Sequence, residues 1–388
     1  MLLDNLRAYA ISSVFVSLTC FALIISSSAD AEHSDAYFLV ENSVDLPSLG
    51  EPDQVAKADT DGEQEAAVMS EECRKFAADD DANIGEVVKA GCEPTLAQMS
   101  ALMDNPVGNV AMLFTQYDLT RLRNGDNKKT GNQGVYTGIL QFPKPVSENW
   151  NLISRVVWTV PSLPIDQDKI DDFSSRTSGG VPPGGGPLTP PKQGGIAPID
   201  VFDGRTTDFG DIYYVGLFSP KEPIHLDNGA SVVWGLGFDL AFPTAQEEIL
   251  GSGQYSAGPS ALGVYLGEKW KFGALVQHYW DYASDDKGRD DVNLTNLQSI
   301  YYYSLDSTTS IGAGPNIIMN WEQDSDNFLT LPVGTGISKT LQFGKVPVRI
   351  GAEIHYSVIR PDDEVGADWN FRFYIIPAVP SAFIPILN

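Results

Sequence analysis

Long apolar stretches are almost absent from this sequence. Apart from one run near the N-terminus, no segment approaches the ~18 consecutive apolar residues that a membrane-spanning helix requires. Basic residues are also scarce, since 25 Lys and Arg stand against 51 Asp and Glu, for a formal net charge of -26. Because the phosphates of nucleic acids are bound mainly by Lys and Arg, this balance argues against nucleic acid as a partner.

The signatures of common enzyme classes are missing as well. No glycine-rich nucleotide loop, Gly-x-Ser-x-Gly nucleophile turn or His-Glu-x-x-His zinc motif stands in a suitable context. Histidine, the commonest acid–base and metal-binding side chain, occurs only 4 times. We therefore expect no cofactor, no metal site and no catalytic residues, and we expect that the chain is not an enzyme.

The one apolar run, at residues 11–25, belongs to a predicted signal peptide at residues 1–31. It precedes Ser-Ser-Ser-Ala-Asp-Ala, in which Ala29 and Ala31 have the small-residue spacing of a signal-peptidase site. A single spanning helix is one alternative, but the run is short and lacks a basic flank. A lipid anchor on Cys20 is another, although Thr precedes that Cys where a smaller residue is expected.

Residues 32–104 form a polar, acidic segment that we expect to lie in the periplasm. Cys73 and Cys92 predict one disulfide in an oxidising compartment, with two free thiols as the alternative. A short helix over 94–104 is predicted because Pro94 suits a first turn and apolar residues recur on one face. This helix either plugs the domain that follows or simply connects to it.

From about residue 109 onward, apolar and polar residues alternate, which is typical of β-strands with two different faces. Trp234, Leu236 and Phe238, for example, share one face, while Gly237 and Asp239 share the other. Twelve such segments are predicted, at 109–122, 133–142, 150–161, 208–219, 230–243, 258–267, 269–282, 292–304, 307–321, 328–340, 346–359 and 367–377.

This pattern predicts an all-β fold, a transmembrane antiparallel up-and-down β-barrel of about 12 strands over 105–383. The strands are long, about 10 to 14 residues, whereas strands in soluble proteins average about 5 to 6. An even strand number suits a bacterial single-chain barrel, so the Gram-negative outer membrane is the expected location. Aromatic residues near strand ends suggest girdles at both membrane interfaces: Trp150, Trp158, Trp270, Trp280, Trp321 and Trp369.

The predicted outward connections are long and acidic. The third, at 162–207, contains a Gly- and Pro-rich stretch at 179–187 that argues strongly against a helix or strand there, and it either folds into the lumen or stays outside. Aspartate clusters such as Asp285-Asp286 and Asp290-Asp291 are either a solvated surface or bind divalent cations shared with lipopolysaccharide.

The polar face of the strands carries charges of both signs. The expected pore-lining residues are Arg155, Asp239, Lys271, Gln277, Arg349, Glu353, His355 and Arg372. Either these groups pair with each other and fill a closed interior, or they line a water-filled path and set its selectivity. We expect a narrow, substrate-restricted channel rather than a wide porin.

Several short runs spread over the predicted barrel resemble a known family. They are Asn-Pro-Val-Gly-Asn-Val-Ala-Met-Leu-Phe-Thr-Gln-Tyr (105–117), Gly-Asp-Ile-Tyr-Tyr-Val-Gly-Leu-Phe-Ser-Pro (210–220), Trp-Gly-Leu-Gly-Phe-Asp-Leu-Ala-Phe-Pro-Thr-Ala (234–245), Gly-Pro-Ser-Ala-Leu-Gly (258–263) and Ile-Gly-Ala-Gly-Pro-Asn (311–316). These runs resemble the outer-membrane proteins of the phenol-degradation MetA pathway family. The resemblance implies a barrel that transports small aromatic or other apolar molecules.

Three functional hypotheses follow. The first is an outer-membrane channel or transporter for small, hydrophobic or aromatic solutes, and the alternative is a non-transporting barrel that acts as scaffold, receptor or adhesin. An interfacial lipid hydrolase is the third, and it requires a Ser and an Asn beside His278. Expected partners are outer-membrane lipid and lipopolysaccharide, a small-molecule solute and the barrel-assembly machinery, although five residues follow Phe383 where a terminal aromatic is the usual assembly signal.

Overall fold

The computed structural model describes residues 70–78, 87, 90–108, 110–124, 128–166, 202, 204–284, 291–344, 346–361 and 365–380. The predicted signal peptide, the Gly- and Pro-rich stretch 179–187 and several of the outer aspartates lie outside the described residues. Predictions for those segments stay predictions.

The described residues form two short helices and fifteen strands, together with a single turn of 3₁₀ helix at Glu248–Leu250. The helices are α1 (Glu71–Ala77) and α2 (Leu96–Asp104). The strands are β1 (Val110–Asn124), β2 (Thr130–Pro145), β3 (Trp150–Leu163), β4 (Thr206–Thr207), β5 (Ile212–Pro220), β6 (Ile224–His225), β7 (Ser231–Phe242), β8 (Gln254–Leu266), β9 (Trp270–Ser284), β10 (Asn293–Ser304), β11 (Thr309–Ala313), β12 (Asn316–Asn320), β13 (Leu329–Phe343), β14 (Val346–Ile359) and β15 (Val365–Pro380). Neither helix has the length and apolarity needed to cross a bilayer.

The strands close into a barrel because the first and last of them pair with each other. β1 pairs with both β2 and β15, and the antiparallel order continues round the sheet until β9 pairs with β10. β11 and β12 form a single barrel strand that is interrupted at Gly314 and Pro315, while β4 and β6 are two-residue additions. The predicted twelve-stranded antiparallel barrel is therefore confirmed.

Alternation along the strands separates an apolar exterior from a polar interior. Along β15, Phe371 and Phe373 are 42% and 57% exposed, whereas Arg372 between them is 7% exposed. The same parity exposes large apolar side chains all round the wall: Leu119, Leu140, Phe218, Leu236, Phe272, Ile337, Ile350 and Ile354. A closed, even-stranded barrel with an apolar outer band is the architecture of bacterial outer-membrane proteins, and this protein resides in that membrane.

Most of the predicted girdle tryptophans lie on the exterior. The exposed ones are Trp150, Trp270, Trp280, Trp321 and Trp369. Trp158 differs, since it is only 4% exposed and its ring lies directly over Gly138 on the neighbouring strand. Because Gly138 has no side chain, the ring of Trp158 fits into the recess there and is buried.

One covalent and one polar contact join α1 to the residues that follow it. Cys73 in α1 and Cys92 form the predicted disulfide, with their Cα atoms 5.4 Å apart. The side-chain amide of Gln98 in α2 donates to the carbonyl oxygen of Phe76 at 2.6 Å. The two short helices are thus held against each other at the entrance to the barrel.

Candidate functional site: the barrel lumen

The predicted helix enters the barrel and ends inside it. Thr95 caps α2 through a reciprocal pair of hydrogen bonds with Gln98, so the helix begins at Leu96, two residues after the predicted start at Pro94. At its other end, Asp104 lies 2.5 Å from the ammonium group of Lys271 and 2.7 Å from the guanidinium of Arg349. Of the two sequence-based alternatives, a plug or a connector, the structure shows the plug.

Further polar contacts fix α2 against the wall. The hydroxyls of Ser100 and Thr340 are 3.0 Å apart, and Arg349 also donates to the carbonyl oxygen of Ser100 at 3.0 Å. Thr340 and Arg349 lie near the short turn between β13 and β14. The plug therefore fills the end of the barrel where the strand connections are short, which is the periplasmic end.

Apolar side chains complete the closure of this end. Val107, in the link between α2 and β1, is 5% exposed and packs into a cluster of inward-facing residues: Ile153, Val215, Leu217, Val233, Leu262, Val264 and Leu275. On the opposite side, Met103 packs against Met112, Tyr374 and Ile376. Such packing excludes water, so the periplasmic half of the lumen is a closed, largely apolar layer.

The outer half of the lumen instead holds a cavity of about 280 Å³. Its walls combine amide and hydroxyl side chains with aliphatic and aromatic ones. Among the residues that line it are Gln116, Gln133, Thr137, Ile139, Arg155, Val157, Tyr213, Val215, Gln277, Tyr279, Asn296, Asn316, Ile318, Pro332, His355 and Arg372. A mixed polar and apolar surface of this size suits a small organic solute.

One wall of the cavity carries a closed network of charges. Arg372 donates to Asp118 at 2.9 Å and lies 3.8 Å from Glu353. Glu353 in turn accepts from the hydroxyl of Tyr302 at 2.8 Å and lies 2.9 Å from the imidazole of His355. These groups satisfy one another, so the charges on this wall are paired.

The same network binds the backbone of the interrupted strand. The amide of Gly314 donates to Glu353 at 3.2 Å, and its carbonyl oxygen accepts from Arg372 at 2.8 Å. Glu353 reaches Gly314 because the intervening residue of β13 is Gly336, where a Cβ would lie 2.7 Å from the Glu353 side chain. Side chains from β14 and β15 thus take the place of the strand partner that Gly314 lacks.

The barrel wall has a break in its backbone pairing at this point. β11 pairs with β13 as far as Ile311 opposite Ile337, and β12 resumes the same register with Ile318 opposite Thr330. No backbone pair joins residues 312–317 to 331–336, all of which the structure describes. Pro315 and Pro332 contribute to the break because proline has no amide hydrogen to donate to a neighbouring strand.

The cavity reaches this break from the inside, since Asn316 and Pro332 line it. From the outside, the phenol of Tyr301 lies across the break and contacts both the carbonyl oxygen of Gly334 at 3.0 Å and its amide at 3.2 Å. The wall between the cavity and the lipid is therefore closed here by side chains rather than by a strand pair.

A second wall is organised around a chain of amides. Asn296 donates to Gln277 at 3.2 Å, and Gln277 donates to the hydroxyl of Tyr279 at 2.9 Å and to Asp239 at 3.2 Å. Asp239 is completely buried behind the cavity surface. Arg155 faces the cavity near this chain, and its Nε is buried without a hydrogen-bond partner.

The eight expected pore-lining residues therefore fall into three places. Arg155, Gln277, His355 and Arg372 line the cavity, whereas Asp239 and Glu353 lie buried behind it. Lys271 and Arg349 hold the plug helix at the periplasmic end.

Sequence reasoning missed several residues of the candidate site. Asp118 and Tyr302 are part of the charged network, and Gly314 is its backbone target. Asp118 carried the same signal as Asp239, an acidic residue at an inward-facing position of a strand. Gly314 gave a weaker one, because the pair Gly314-Pro315 interrupts a predicted strand.

The outward-facing His278 has Asn293 within hydrogen-bonding reach, but among the described residues its hydroxyl partner is a threonine and not the serine of a Ser-His-Asn hydrolase. Its Nδ1 lies 2.7 Å from the hydroxyl of Thr295, which also accepts from the indole of Trp321 at 2.9 Å. Its ring packs against Trp280 with the centroids 4.0 Å apart. The hydroxyl within reach is thus a threonine that is already engaged at the aromatic surface of the barrel.

Comparison with known proteins returns structural similarity only. No family model matches the sequence, and no curated protein matches it. Among solved structures, the chain is similar to an outer-membrane channel of Pseudomonas putida F1, at 16% identity and a TM-score of 0.43, over 70% of this chain and 95% of that one. It is also similar to a Pseudomonas aeruginosa FadL homologue, at 10% identity and a TM-score of 0.33, over 72% of this chain and 93% of that one. A third similar structure is outer-membrane phospholipase A of Escherichia coli, at 9% identity and a TM-score of 0.33, over 72% of this chain and 97% of that one.

Proposed function

We propose that this protein is an outer-membrane channel for small, hydrophobic or aromatic solutes. In this proposal the solute enters the cavity from the outside and leaves through the break between β11/β12 and β13 into the lipid. The observation that carries the proposal is that the cavity borders this break, with Asn316 and Pro332 common to both.

The closed periplasmic half supports a sideways exit. A route straight through the barrel would have to displace Val107, Met103 and the ion pairs of Asp104. A sideways route requires only that side chains move, since Tyr301 and the Glu353–Arg372 network close the break without a strand pair. An apolar solute that leaves in this direction enters lipid and avoids the polar periplasm.

The resemblance to the phenol-degradation MetA pathway family is consistent with this function and is part of the proposal. The alternative, a scaffold, receptor or adhesin without transport, predicts that the cavity never exchanges solute with the membrane.

A cross-link over the break tests the proposal. The register places Ile317 opposite Leu331, so the double variant Ile317→Cys, Leu331→Cys allows a disulfide across the break. Intact Gram-negative cells that express the full chain are given labelled toluene. We expect faster uptake than in cells without the protein, loss of this gain when the cysteines are oxidised, and recovery on reduction.

The matched control is Ile350→Cys, Ile375→Cys, a pair of outward residues on strands that are already joined by backbone bonds. Oxidation of this pair should leave toluene uptake unchanged. Equal uptake with and without the wild-type protein would contradict the channel and favour the non-transporting alternative. Uptake that survives oxidation at Ile317 and Leu331 would contradict the sideways exit.

A further inference from the structure

Two arginines line the cavity, and they differ in what surrounds their charge. Arg372 is bound by Asp118, Glu353 and the carbonyl oxygen of Gly314. Arg155 makes no hydrogen bond or ion pair with any other residue in the described part of the chain, and its Nε is buried and unpartnered. A buried polar group without a partner is costly, so a hydrogen-bond acceptor in the cavity that reaches this guanidinium would be favoured.

The counter-charge near Arg155 does not occupy the cavity. Asp239 acts on Arg155 electrostatically but forms no ion pair with it. Its side chain is fully buried, does not line the cavity and accepts a hydrogen bond from Gln277. A carboxylate approaching from the cavity would therefore meet the guanidinium first.

Aromatic and aliphatic surfaces lie next to this guanidinium. Arg155 pairs in register with Val215 on β5, and Tyr213 is the next inward residue of that strand. The rings of Tyr213 and Tyr279 meet edge to face, with centroids 6.0 Å apart, and both line the cavity. Edge and face contacts with a third ring are favourable at such a site.

We propose that Arg155 binds the carboxylate of a small aromatic acid whose ring packs against Tyr213, Tyr279 and Val215. The planar fork of a guanidinium matches the two oxygens of a carboxylate, and the bond between two charges is stronger than one between neutral groups. This inference rests on the proposed channel function and narrows its substrate class to aromatic carboxylates.

Binding of three ligands of similar shape tests the inference. Benzoate, neutral benzamide and cationic benzylamine are titrated into the purified full chain in detergent at neutral pH by calorimetry. We expect benzoate to bind most tightly and benzylamine least. In Arg155→Gln, benzoate affinity should fall about ten- to a hundredfold, to the level of benzamide, because a charge-assisted bond is lost.

Two further variants guard against a folding defect. Arg155→Lys keeps the charge but not the fork, so benzoate should still bind better than benzamide, although less tightly than in the wild type. Arg121→Gln removes an exposed arginine of β1 that does not line the cavity and should change no affinity. Each variant is first shown to fold by the heat-dependent gel mobility and melting temperature of the barrel.

The outcomes separate this inference from the channel itself. Equal binding of benzoate and benzamide to the wild type, or an unchanged benzoate affinity in Arg155→Gln, overturns the carboxylate site. If toluene uptake by cells is then still faster with the protein, the channel function stands. If toluene uptake is also unchanged by the protein, both proposals fail.

Discussion

The two halves of the lumen are built from the same strands yet differ in what fills them. In the periplasmic half, α2 and Val107 meet an apolar layer, and the two cations Lys271 and Arg349 are neutralised by Asp104. In the outer half, amides, tyrosines and an unpartnered Arg155 surround a cavity of about 280 Å³. The contrast shows that one barrel can be filled at one end and hold a cavity at the other.

The largest effect should come from removing the anion that seals the closed half. Asp104→Leu leaves Lys271 and Arg349 buried without their counter-charge, and a loss of this kind destabilises by about 3 to 5 kcal/mol. We expect planar bilayers to be silent with the wild type, and to show discrete single-channel conductance with Asp104→Leu because the plug leaves the lumen.

The control for that experiment is Glu71→Ala. Glu71 also forms an ion pair, with Lys75, but both side chains are largely exposed, at 86% and 77%. Exposed pairs contribute little, so this variant should be as silent as the wild type. Silence of Asp104→Leu as well would mean that apolar packing alone seals the periplasmic end.

Substitution of two isoleucines, one in each half of the lumen, compares the packing of the two halves directly. Ile153 is 0% exposed in the apolar layer, whereas Ile318 is 5% exposed but lines the cavity. Truncation of a tightly packed Ile to Ala lowers the free energy of unfolding by about 2 to 5 kcal/mol, and the loss is smaller where the side chain already adjoins empty space. Ile153→Ala should therefore lower the melting temperature of the barrel clearly more than Ile318→Ala, and equal losses would contradict the difference in packing.

A smaller effect is expected at the break in the outer half. Tyr301→Phe removes the hydroxyl that contacts both the amide and the carbonyl oxygen of Gly334, at a cost of about 0.5 to 1.5 kcal/mol. Hydrogen exchange at the amide of Gly334 should accelerate. Tyr303→Phe is the matched control, because Tyr303 is on the same strand and contacts the ring of Trp270 instead. Unchanged exchange at Gly334 would mean that Tyr301 does not close the break.

The smallest effect concerns a turn at the closed end. Hydrogen bonds from Thr308 and Thr309 lower the pKa of Asp306 from 3.8 to about 2. A lowered pKa stabilises the folded state above pH ~4, and this contribution is lost as the pH falls through ~2. The melting temperature of Asp306→Ala should thus lie slightly below that of the wild type at neutral pH and converge with it near pH 2.

Asp306→Asn keeps an acceptor oxygen but cannot titrate. The difference in melting temperature between Asp306→Asn and the wild type should therefore change in the same pH range. The difference in melting temperature between Asp306→Asn and Asp306→Ala should stay constant. A deficit of Asp306→Ala that persists at pH 2 would show that the turn acts through its shape and not through the charge.

Much of the wall was predictable from local pattern. The twelve segments, the outward parity of residues such as Leu236 and Phe373, and the inward parity of Asp239 and Arg372 all agree with the structure. The segment predicted at 307–321 is split at Gly314, and the one predicted from 208 begins at Ile212. The split was not anticipated because it depends on side chains from β14 and β15 that replace a strand partner.

The lumen was only partly predictable, because its residues find their partners through barrel closure. Arg372 meets Asp118 across 254 residues of sequence, and Arg349 meets Ser100 across 249. Parity alone indicated that Lys271, Arg349 and Arg155 face inward, but not that the first two bind a plug and the third faces a cavity.

The sequence by itself determined the strand count and the two faces of the wall, and it predicted the disulfide between Cys73 and Cys92 and a helix before the barrel. These features depend on residues close together in sequence or on a side-chain period of two, which any single segment displays. Only the tertiary structure decided which charges are paired, that the helix enters the lumen and that backbone pairing in the wall is interrupted at Gly314. Those outcomes depend on distances across the barrel, which are set when β15 closes onto β1.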